Sequence, residues 1–375
     1  MPSRIPAPRL VALATAVPDH VLRQSEVVER ARLLFEGRID DFARLLPVYG
    51  NAGIETRHSC VPLDWYGRPV GWRERNELYL QHALDLIERA ARRCLDRASL
   101  PASAVDALVT VSSTGVATPS LDARLMERLP FRRDLERLPI FGLGCAGGAL
   151  GLARAAALAQ AKAGARVLLL VVELCGITFR SGDSSKSNVV ASALFADGAA
   201  AVLVSSADAD QGPRIVGWGE HTWPDSLDVM GWRVEDDGLG VQFSRDIPTI
   251  IRRDYAAALD AFLIAQRVGR GALGGLALHP GGTKVVEALE DVFGLPRGGL
   301  AEARDVLRRF GNMSAPTVLF VLQQVLREPR KGHILVSALG PGFTAAFVTL
   351  LPQAVTPSDE LDEGDGIAAL SSAAR

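Results

Sequence analysis

Apolar runs that alternate with helical segments constrain the fold of this chain most. The run ARVLLLVVEL (165–174) follows a segment of helical character at 148–163, which itself follows LPIFGLG (138–144). A run this short cannot span a bilayer and is typical of a strand buried on both faces. VDALVTVSST (105–114) has the same character, and residues 77–98 carry apolar side chains at helical spacing. The sequence therefore predicts an α/β protein with largely buried sheets.

The rest of the chain repeats this alternation. Its predicted strands and helices lie at 193–207, 248–266, 273–282, 283–293 and 316–328, before a closing hairpin at 333–351 around Gly340-Pro341-Gly342. Turn-forming residues cluster between Asp208 and Pro213, so we expect one half over residues 1–210 and a second over 211–355. The acidic, then small and polar tail at 356–375 is expected to be disordered.

Composition excludes several classes of partner and site. The 375 residues carry a formal net charge of -2, which gives no electrostatic reason to expect nucleic acid or an anionic membrane as a partner. The N-terminus lacks the layout of a signal peptide, so a cytoplasmic protein without a membrane span is expected. The four cysteines form no CxxC pair and the six histidines no HxxxH pair, which predicts neither a disulfide framework nor a metal site.

One cysteine stands out by its setting. Cys145 lies in GLGCAGGALGLARA, at the end of a predicted strand and immediately before a predicted helix. Unpaired N–H groups and the positive end of the helix dipole favour a thiolate there, and small neighbours let a substrate approach. The alternative is a cysteine that is merely packed in a glycine-rich turn, because cysteines are often buried.

A histidine and an asparagine in the second half are candidate partners. His279 ends the apolar run GLAL and precedes Pro280-Gly281-Gly282, at the end of a predicted strand. Asn312, in GNMSAP, is either the N-cap of the following helix or a neutral amide that donates to a developing oxyanion.

Five motifs occur in an order that points to a known family. The stretches GLGCAGGALGLARA, ALFADGAAAVLV, LALHPGGTKVVEAL, GNMSAPTVLFVL and SALGPGFTAAFV closely resemble those of type III polyketide synthases, the chalcone and stilbene synthase family of the thiolase fold. The resemblance runs from about residue 10 to 350. It implies a duplicated, five-layered α-β-α-β-α architecture and a homodimer.

The resemblance also implies catalytic roles. Cys145 would carry the starter acyl group and the growing chain as a thioester, and His279 would stabilise its thiolate as an ion pair. His279 and Asn312 would hold the thioester carbonyl of malonyl-CoA during decarboxylation. Acyl-CoA and malonyl-CoA would be substrates, with no further cofactor, since loss of CO2 generates the carbanion without a strong base.

Further residues acquire roles from their positions in the family motifs. Phe195 matches the gate between the CoA tunnel and the cavity, and Ser113, Thr178 and Ser314 fall at pocket-lining positions. Leu339, with Ala338, replaces the first two residues of the family's Gly-Phe-Gly-Pro-Gly.

Two replacements suggest a longer or wider acyl tunnel than in plant enzymes. Val241 stands where a second gate aromatic is usual, although Phe243 is two residues away. Thr118 stands where plant enzymes have a methionine that reaches into the partner subunit.

The basic cluster that grips CoA in plant enzymes is mostly missing. Arg44 alone falls in register, with Arg57 nearby, and Lys284 beside Gly281 and Gly282 is a candidate substitute.

The replacements at Val241 and Thr118 favour a medium- or long-chain fatty acyl-CoA starter and an alkylpyrone or alkylresorcinol-type product. One alternative is priming by malonyl-CoA itself, which would give a tetrahydroxynaphthalene or phloroglucinol-type product. Others are a 3-ketoacyl-acyl carrier protein synthase III, whose usual histidine context is His-Gln-Ala-Asn, a cysteine hydrolase, and an inactive thiolase-fold dimer partner.

Overall fold

Thirteen strands can be followed in the computed structural model, which describes residues 7–352. They are β1 (Arg9–Ala16), β2 (His20–Arg23), β3 (Thr56–Ser59), β4 (Ala107–Val111), β5 (Glu136–Ile140), β6 (Arg166–Leu174), β7 (Asp197–Ser205), β8 (Arg214–Thr222), β9 (Met230–Glu235), β10 (Gly238–Phe243), β11 (Leu273–Leu278), β12 (His333–Gly340) and β13 (Thr344–Leu351).

Eleven α-helices pack on or between these strands in the same part of the chain. They are α1 (Gln24–Phe35), α2 (Pro47–Asn51), α3 (Trp72–Arg97), α4 (Leu121–Leu125), α5 (Gly147–Ala161), α6 (Lys186–Leu194), α7 (Ile247–Ile250), α8 (Ala256–Ala265), α9 (Thr283–Phe293), α10 (Ala301–Phe310) and α11 (Thr317–Val325). A π-helical turn at Ile251–Tyr255 joins α7 to α8 and interrupts the single helix predicted at 248–266.

Nine strands form one sheet made of two similar halves. The first half has the order β1-β7-β6-β4-β5, and the second has the order β8-β13-β12-β11. In each half the last two strands in the sequence, β6–β7 or β12–β13, form an antiparallel pair. A parallel pair, β4–β6 or β11–β12, lies beside it. The halves meet where β1 pairs with β8, and the Leu10 N–H donates to the Pro213 carbonyl at 2.9 Å.

The helices complete a five-layered arrangement. Helix α3 packs on the outer face of the first half-sheet, against β1, β6 and β7. Helices α5 and α11 contact each other and both half-sheets, and α8 packs outside the second half-sheet on β8 and β13. Helix α5 is buried along most of its length because it is built from alanine, glycine and leucine and lies between the two half-sheets. The duplicated α-β-α-β-α architecture predicted from the sequence is confirmed.

One predicted strand has an unexpected environment. LPIFGLG was expected to form a strand over 138–144, but β5 ends at Ile140 and lies at the edge of the sheet with most of its residues exposed. The tail predicted to be disordered, 356–375, lies outside the described residues. Between residues 7 and 352, no helix combines the length and the apolar character needed to cross a membrane.

Candidate active site

The turn that carries Cys145 is shaped by the hairpin of the other half. Cys145 lies in a single 3-10 turn, Gly144–Ala146, directly before α5. Gly144 has φ +47°, and a Cβ atom there would lie 2.6 Å from Cδ of Pro341 in the β12–β13 hairpin. Only glycine meets both conditions without strain, which explains why the GLGC and GPG motifs occur together.

A second close approach brings the asparagine segment to the start of α5. A Cβ atom on Gly148 would lie 2.2 Å from the carbonyl oxygen of Ala315. This contact lets Ser314 approach the sulfur, and the Cys145 Sγ donates to the Ser314 Oγ at 3.4 Å. Cys145 is 9% exposed.

Burial controls the protonation of Cys145. It raises the pKa of the thiol to about 11, although the hydrogen bond with Ser314 acts in the opposite direction. The carboxylate of Glu173 adds to the increase in pKa. The helix terminus, which the sequence predicts to favour a thiolate, is thus opposed by desolvation in the unliganded protein, and desolvation is the larger effect.

His279 presents an imidazole whose two nitrogens have no hydrogen-bond partner within residues 7–352. It follows β11, where its backbone N–H donates to the Ser337 carbonyl at 2.9 Å. Burial lowers the pKa of the imidazole to about 4, so the ring is neutral and has one N–H donor and one acceptor nitrogen. Buried polar atoms without partners are costly, which makes this ring a natural contact for a ligand.

The amide of Asn312 is held on both sides. Its Oδ1 accepts from the Ser314 N–H at 2.8 Å, and its Nδ2 donates to the Gly281 carbonyl at 3.1 Å. Because Nδ2 carries two hydrogens, one N–H remains for a substrate oxygen. Asn312 is not the N-cap of α11, which begins at Thr317 after Pro316.

A continuous set of contacts joins the three predicted catalytic residues. Cys145 contacts Ser314, Ser314 contacts Asn312, and Asn312 contacts Gly281, two residues after His279. The sulfur has no hydrogen bond to the imidazole in this structure. The ion pair implied by the family resemblance thus requires a proton to move from the thiol to the ring.

Phe195, the predicted gate residue, lies in a cluster of aromatic rings. The ring of Phe195 lies 5.5 Å from that of Phe243 and 5.9 Å from that of Trp232, centroid to centroid. Phe195 also pairs through its backbone with Asn312. Val241 lies on the same side of β10 as Phe243 and packs at the edge of this cluster. The predicted gate residue Phe195 therefore has a second aromatic ring beside it, that of Phe243, despite the valine at position 241.

The remaining pocket predictions divide into buried and exposed positions. Ser113 and Thr178 are buried; the Ser113 Oγ accepts from the Gly142 N–H at 3.1 Å, and the Thr178 Oγ1 donates to the Cys175 carbonyl at 2.7 Å. Leu339 is buried in β12, within the main core. Thr118 is exposed in the loop before α4, so its small size does not enlarge a cavity in a single protomer.

Glu173 is a buried ionisable residue near the site that the sequence did not single out. Its carboxylate accepts from the Ser113 N–H at 2.9 Å and from the Thr114 Oγ1 at 2.8 Å. Burial raises its pKa to about 8, so most of the population is protonated at neutral pH. In the sequence Glu173 is a single acidic residue near the end of an apolar strand, and only the structure shows that its carboxylate is buried.

The candidate CoA contacts have different environments. Arg44 is exposed and pairs with Asp41 at 2.6 Å, and Lys284 is exposed in the first turn of α9, next to Gly281 and Gly282.

Arg57 does not fit a CoA role. Its side chain is buried and donates to the carbonyls of Ser192, Ala193 and Phe195 and to the Gln24 side chain. The prediction that Arg57 contacts CoA is corrected. Its side chain instead ties the segment that ends at Phe195 to the rest of the fold.

Fold and site together define a thiolase-fold enzyme. Residues 66–208 match the N-terminal domain of chalcone and stilbene synthases, and residues 219–352 match the C-terminal domain. The chain belongs to the chalcone and stilbene synthase family of type III polyketide synthases, which are acyltransferases.

Relatives cover nearly the whole chain. A 1,3,6,8-tetrahydroxynaphthalene synthase of Streptomyces peucetius subsp. caesius is 38% identical over 91% of this chain and 92% of its own length. A putative chalcone synthase of Bacillus subtilis is 37% identical over 90% of this chain and 97% of its own length. The crystal structure of the Streptomyces coelicolor 1,3,6,8-tetrahydroxynaphthalene synthase matches with a TM-score of 0.88 at 26% identity, over 92% of this chain and all of that one.

Proposed function

We propose that Cys145, His279 and Asn312 condense an acyl-CoA starter with malonyl-CoA by decarboxylative Claisen condensation. The observation that carries this proposal is the pair of partnerless ring nitrogens on the buried His279, together with the contacts that run from Cys145 through Ser314 and Asn312 to Gly281. These groups provide a base for the thiol and two donors for an oxyanion, all within a buried site.

In the loading step, the thiol proton passes to His279 as the sulfur attacks the thioester carbon of the acyl-CoA. The bond between that carbon and the CoA sulfur breaks, and CoA leaves as a thiol after taking the proton from His279. A neutral imidazole can accept this proton, and its pKa of about 4 makes it a ready donor to the leaving sulfur.

In the extension step, His279 and Asn312 hold the thioester oxygen of malonyl-CoA. The bond to the carboxylate breaks, CO2 leaves, and its electron pair becomes the enolate. The enolate carbon attacks the acyl-Cys145 carbonyl and releases the Cys145 thiolate. No separate base or redox group is needed, because decarboxylation itself supplies the carbanion.

For the starter we propose a medium- or long-chain fatty acyl-CoA, giving an alkylpyrone or alkylresorcinol-type product. The apolar surroundings of the gate support this class, since each buried methylene contributes about 0.8 kcal/mol. The name of the Streptomyces peucetius relative supports a second candidate, in which malonyl-CoA is both starter and extender and the product is of the tetrahydroxynaphthalene type.

We also propose a homodimer. Within residues 7–352, β5 is an edge strand with one unpaired side; Leu138 within it and Phe141 directly after it are exposed, as is Val116 in the loop after β4. An open strand edge with apolar neighbours is a surface that proteins normally cover, and the Thr118 loop lies next to Val116.

The test of the function is incubation with malonyl-CoA and a panel of acyl-CoAs from C2 to C18, followed by mass spectrometry. Products that contain the intact starter chain plus two or three extender units support the fatty-starter proposal. If malonyl-CoA alone is converted and no acyl-CoA above C6 enters a product, malonyl priming replaces it.

A further inference from the structure

A narrow apolar cavity lies beneath α1, next to the gate. Its walls are aliphatic and aromatic side chains from α1, α6 and the segments around them: Leu22, Val27, Ala31, Leu34, Phe35, Leu63, Phe179, Ala191, Phe195 and Val241. The positions that α1 contributes, from Val27 to Leu34, extend over about 10 Å at 1.5 Å per residue. That distance accommodates several methylenes in a row.

The inner end of this cavity coincides with the gate. Phe195 and Val241 line both, and Phe195 pairs through its backbone with Asn312. Cys175 and Thr178 lie at the same end and are buried. At the outer end, Arg30 and Leu34 are only partly buried. A chain attached at the active site can therefore enter from the gate and continue under α1.

The polar side chains on the cavity wall are bonded to the protein itself. Asn188 donates to the carbonyls of Arg180 and Asp183, and the Ser192 Oγ donates to the Val189 carbonyl at 2.7 Å.

The other polar wall groups are similarly engaged. Tyr66 pairs with Ser59 at 2.8 Å, and Arg30 pairs with Asp64. The terminal nitrogens of Arg57 are bonded to main-chain carbonyls and Gln24, whereas its buried Nε has no partner.

This bonding distinguishes two kinds of occupant. A poly-β-keto chain carries a carbonyl on every second carbon and needs donors, whereas an alkyl chain needs none. A single unpartnered donor, the Arg57 Nε, could serve at most one of these carbonyls, and burying the others against donors that are already bonded leaves them without partners, which is unfavourable. We infer that this cavity under α1 holds the alkyl tail of the fatty starter while its acyl carbon is bound to Cys145, so that α1 sets the accepted chain length. The inference rests on the fatty starter proposed above.

A photocrosslinking experiment tests the position of the tail directly. The wild-type protein is loaded, without malonyl-CoA, with a C14 acyl-CoA that carries a diazirine at its terminal carbon. Intact mass measurement first establishes acylation of Cys145, and irradiation and peptide mapping then locate the crosslink. We expect it within residues 22–35 or 176–195.

The two proposals fail in different ways in this experiment. Absence of acylation by the C14 probe overturns the fatty starter and with it this inference. Normal acylation with crosslinks elsewhere, for example at residues 113–118, overturns only the position of the tail.

Paired variants on α1 provide the kinetic test. Ala31 faces the cavity, and Ala31→Leu fills part of it, whereas Ser25→Leu adds the same side chain on the exposed face of α1. Each methylene that loses its place lowers kcat/KM about fourfold, so displacement of three costs about 50-fold with a C14 starter. Ala31→Leu should leave kcat/KM for a butyryl starter within about twofold, and Ser25→Leu should leave both values unchanged.

Equal losses for the C14 and butyryl starters in Ala31→Leu, or the same loss in Ser25→Leu, would overturn the role of α1. If Ala31→Leu does not fold, the position of the crosslink in the wild type decides the question.

Discussion

Replacement of Asn312 by alanine tests the proposed oxyanion site. The remaining Nδ2 hydrogen is the proposed donor to the malonyl thioester oxygen, since the other donates to Gly281. Removal of one such donor lowers turnover about 10²–10³-fold, equivalent to about 2.7–4 kcal/mol of transition-state stabilisation. We expect malonyl-CoA decarboxylation to fall by this factor in Asn312→Ala.

The same substitution also destabilises the fold. It leaves the Ser314 N–H and the Gly281 carbonyl without the partners they have in this structure. At about 1–3 kcal/mol for each orphaned group, the free energy of unfolding should decrease by about 2–6 kcal/mol. Activity must therefore be measured without denaturant, at a temperature at which circular dichroism shows the variant to be folded.

Asn76 provides a matched control. It also makes two side-chain hydrogen bonds to the backbone, in its case to the N–H and carbonyl of Val116, at 2.7 and 3.0 Å. Asn76→Ala should lose stability but retain decarboxylation. Acylation of Cys145 by a starter, followed by intact mass, should proceed in Asn312→Ala at a near wild-type rate. Decarboxylation within threefold of wild type in Asn312→Ala, or an equal loss in Asn76→Ala, would refute the oxyanion role.

Three further outcomes are expected. Cys145→Ala should abolish condensation but retain slow malonyl-CoA decarboxylation, because the donors on His279 and Asn312 remain; polyketide formation by this variant, followed by mass spectrometry, would refute the nucleophile. Because the pKa of Cys145 is about 11 and thiolate increases with pH, iodoacetamide should modify it about tenfold faster per pH unit between 6 and 9. A rate independent of pH would show that the ion pair with His279 already exists in the unliganded protein. Sedimentation should show a dimer at micromolar concentration that Phe141→Glu dissociates and the still more exposed control Leu227→Glu does not; a monomeric wild type would contradict the proposed interface.

The sequence predicted the parts of the fold that carry strong periodic patterns. The fully buried strands β6 and β7 and the long amphipathic helix α3 were all anticipated, because apolar spacing alone identifies such elements. Helices α1 and α6 and the hairpin β9–β10 were not predicted. Their buried residues contact one another and the gate rather than one large core, so their local patterns are weak.

The site was predicted as a set of residues but not as a set of environments. Motif order brought Cys145, His279 and Asn312 forward, and the structure joins their segments through Ser314 and Gly281. The protonation of Cys145 could not be predicted, since it depends on desolvation by segments distant in sequence. Trp232 at the gate was missed for the same reason: it approaches Phe195 only after β9 and β10 have paired.

The contact between Gly144 and Pro341 makes catalysis depend on how closely the two halves are docked. The nucleophile belongs to the first half, but the turn beneath it rests on a hairpin of the second, 2.6 Å from where a Cβ would lie. The two halves can therefore separate only slightly before the sulfur loses its position. Under mild denaturation, loss of condensing activity should come before loss of helical signal.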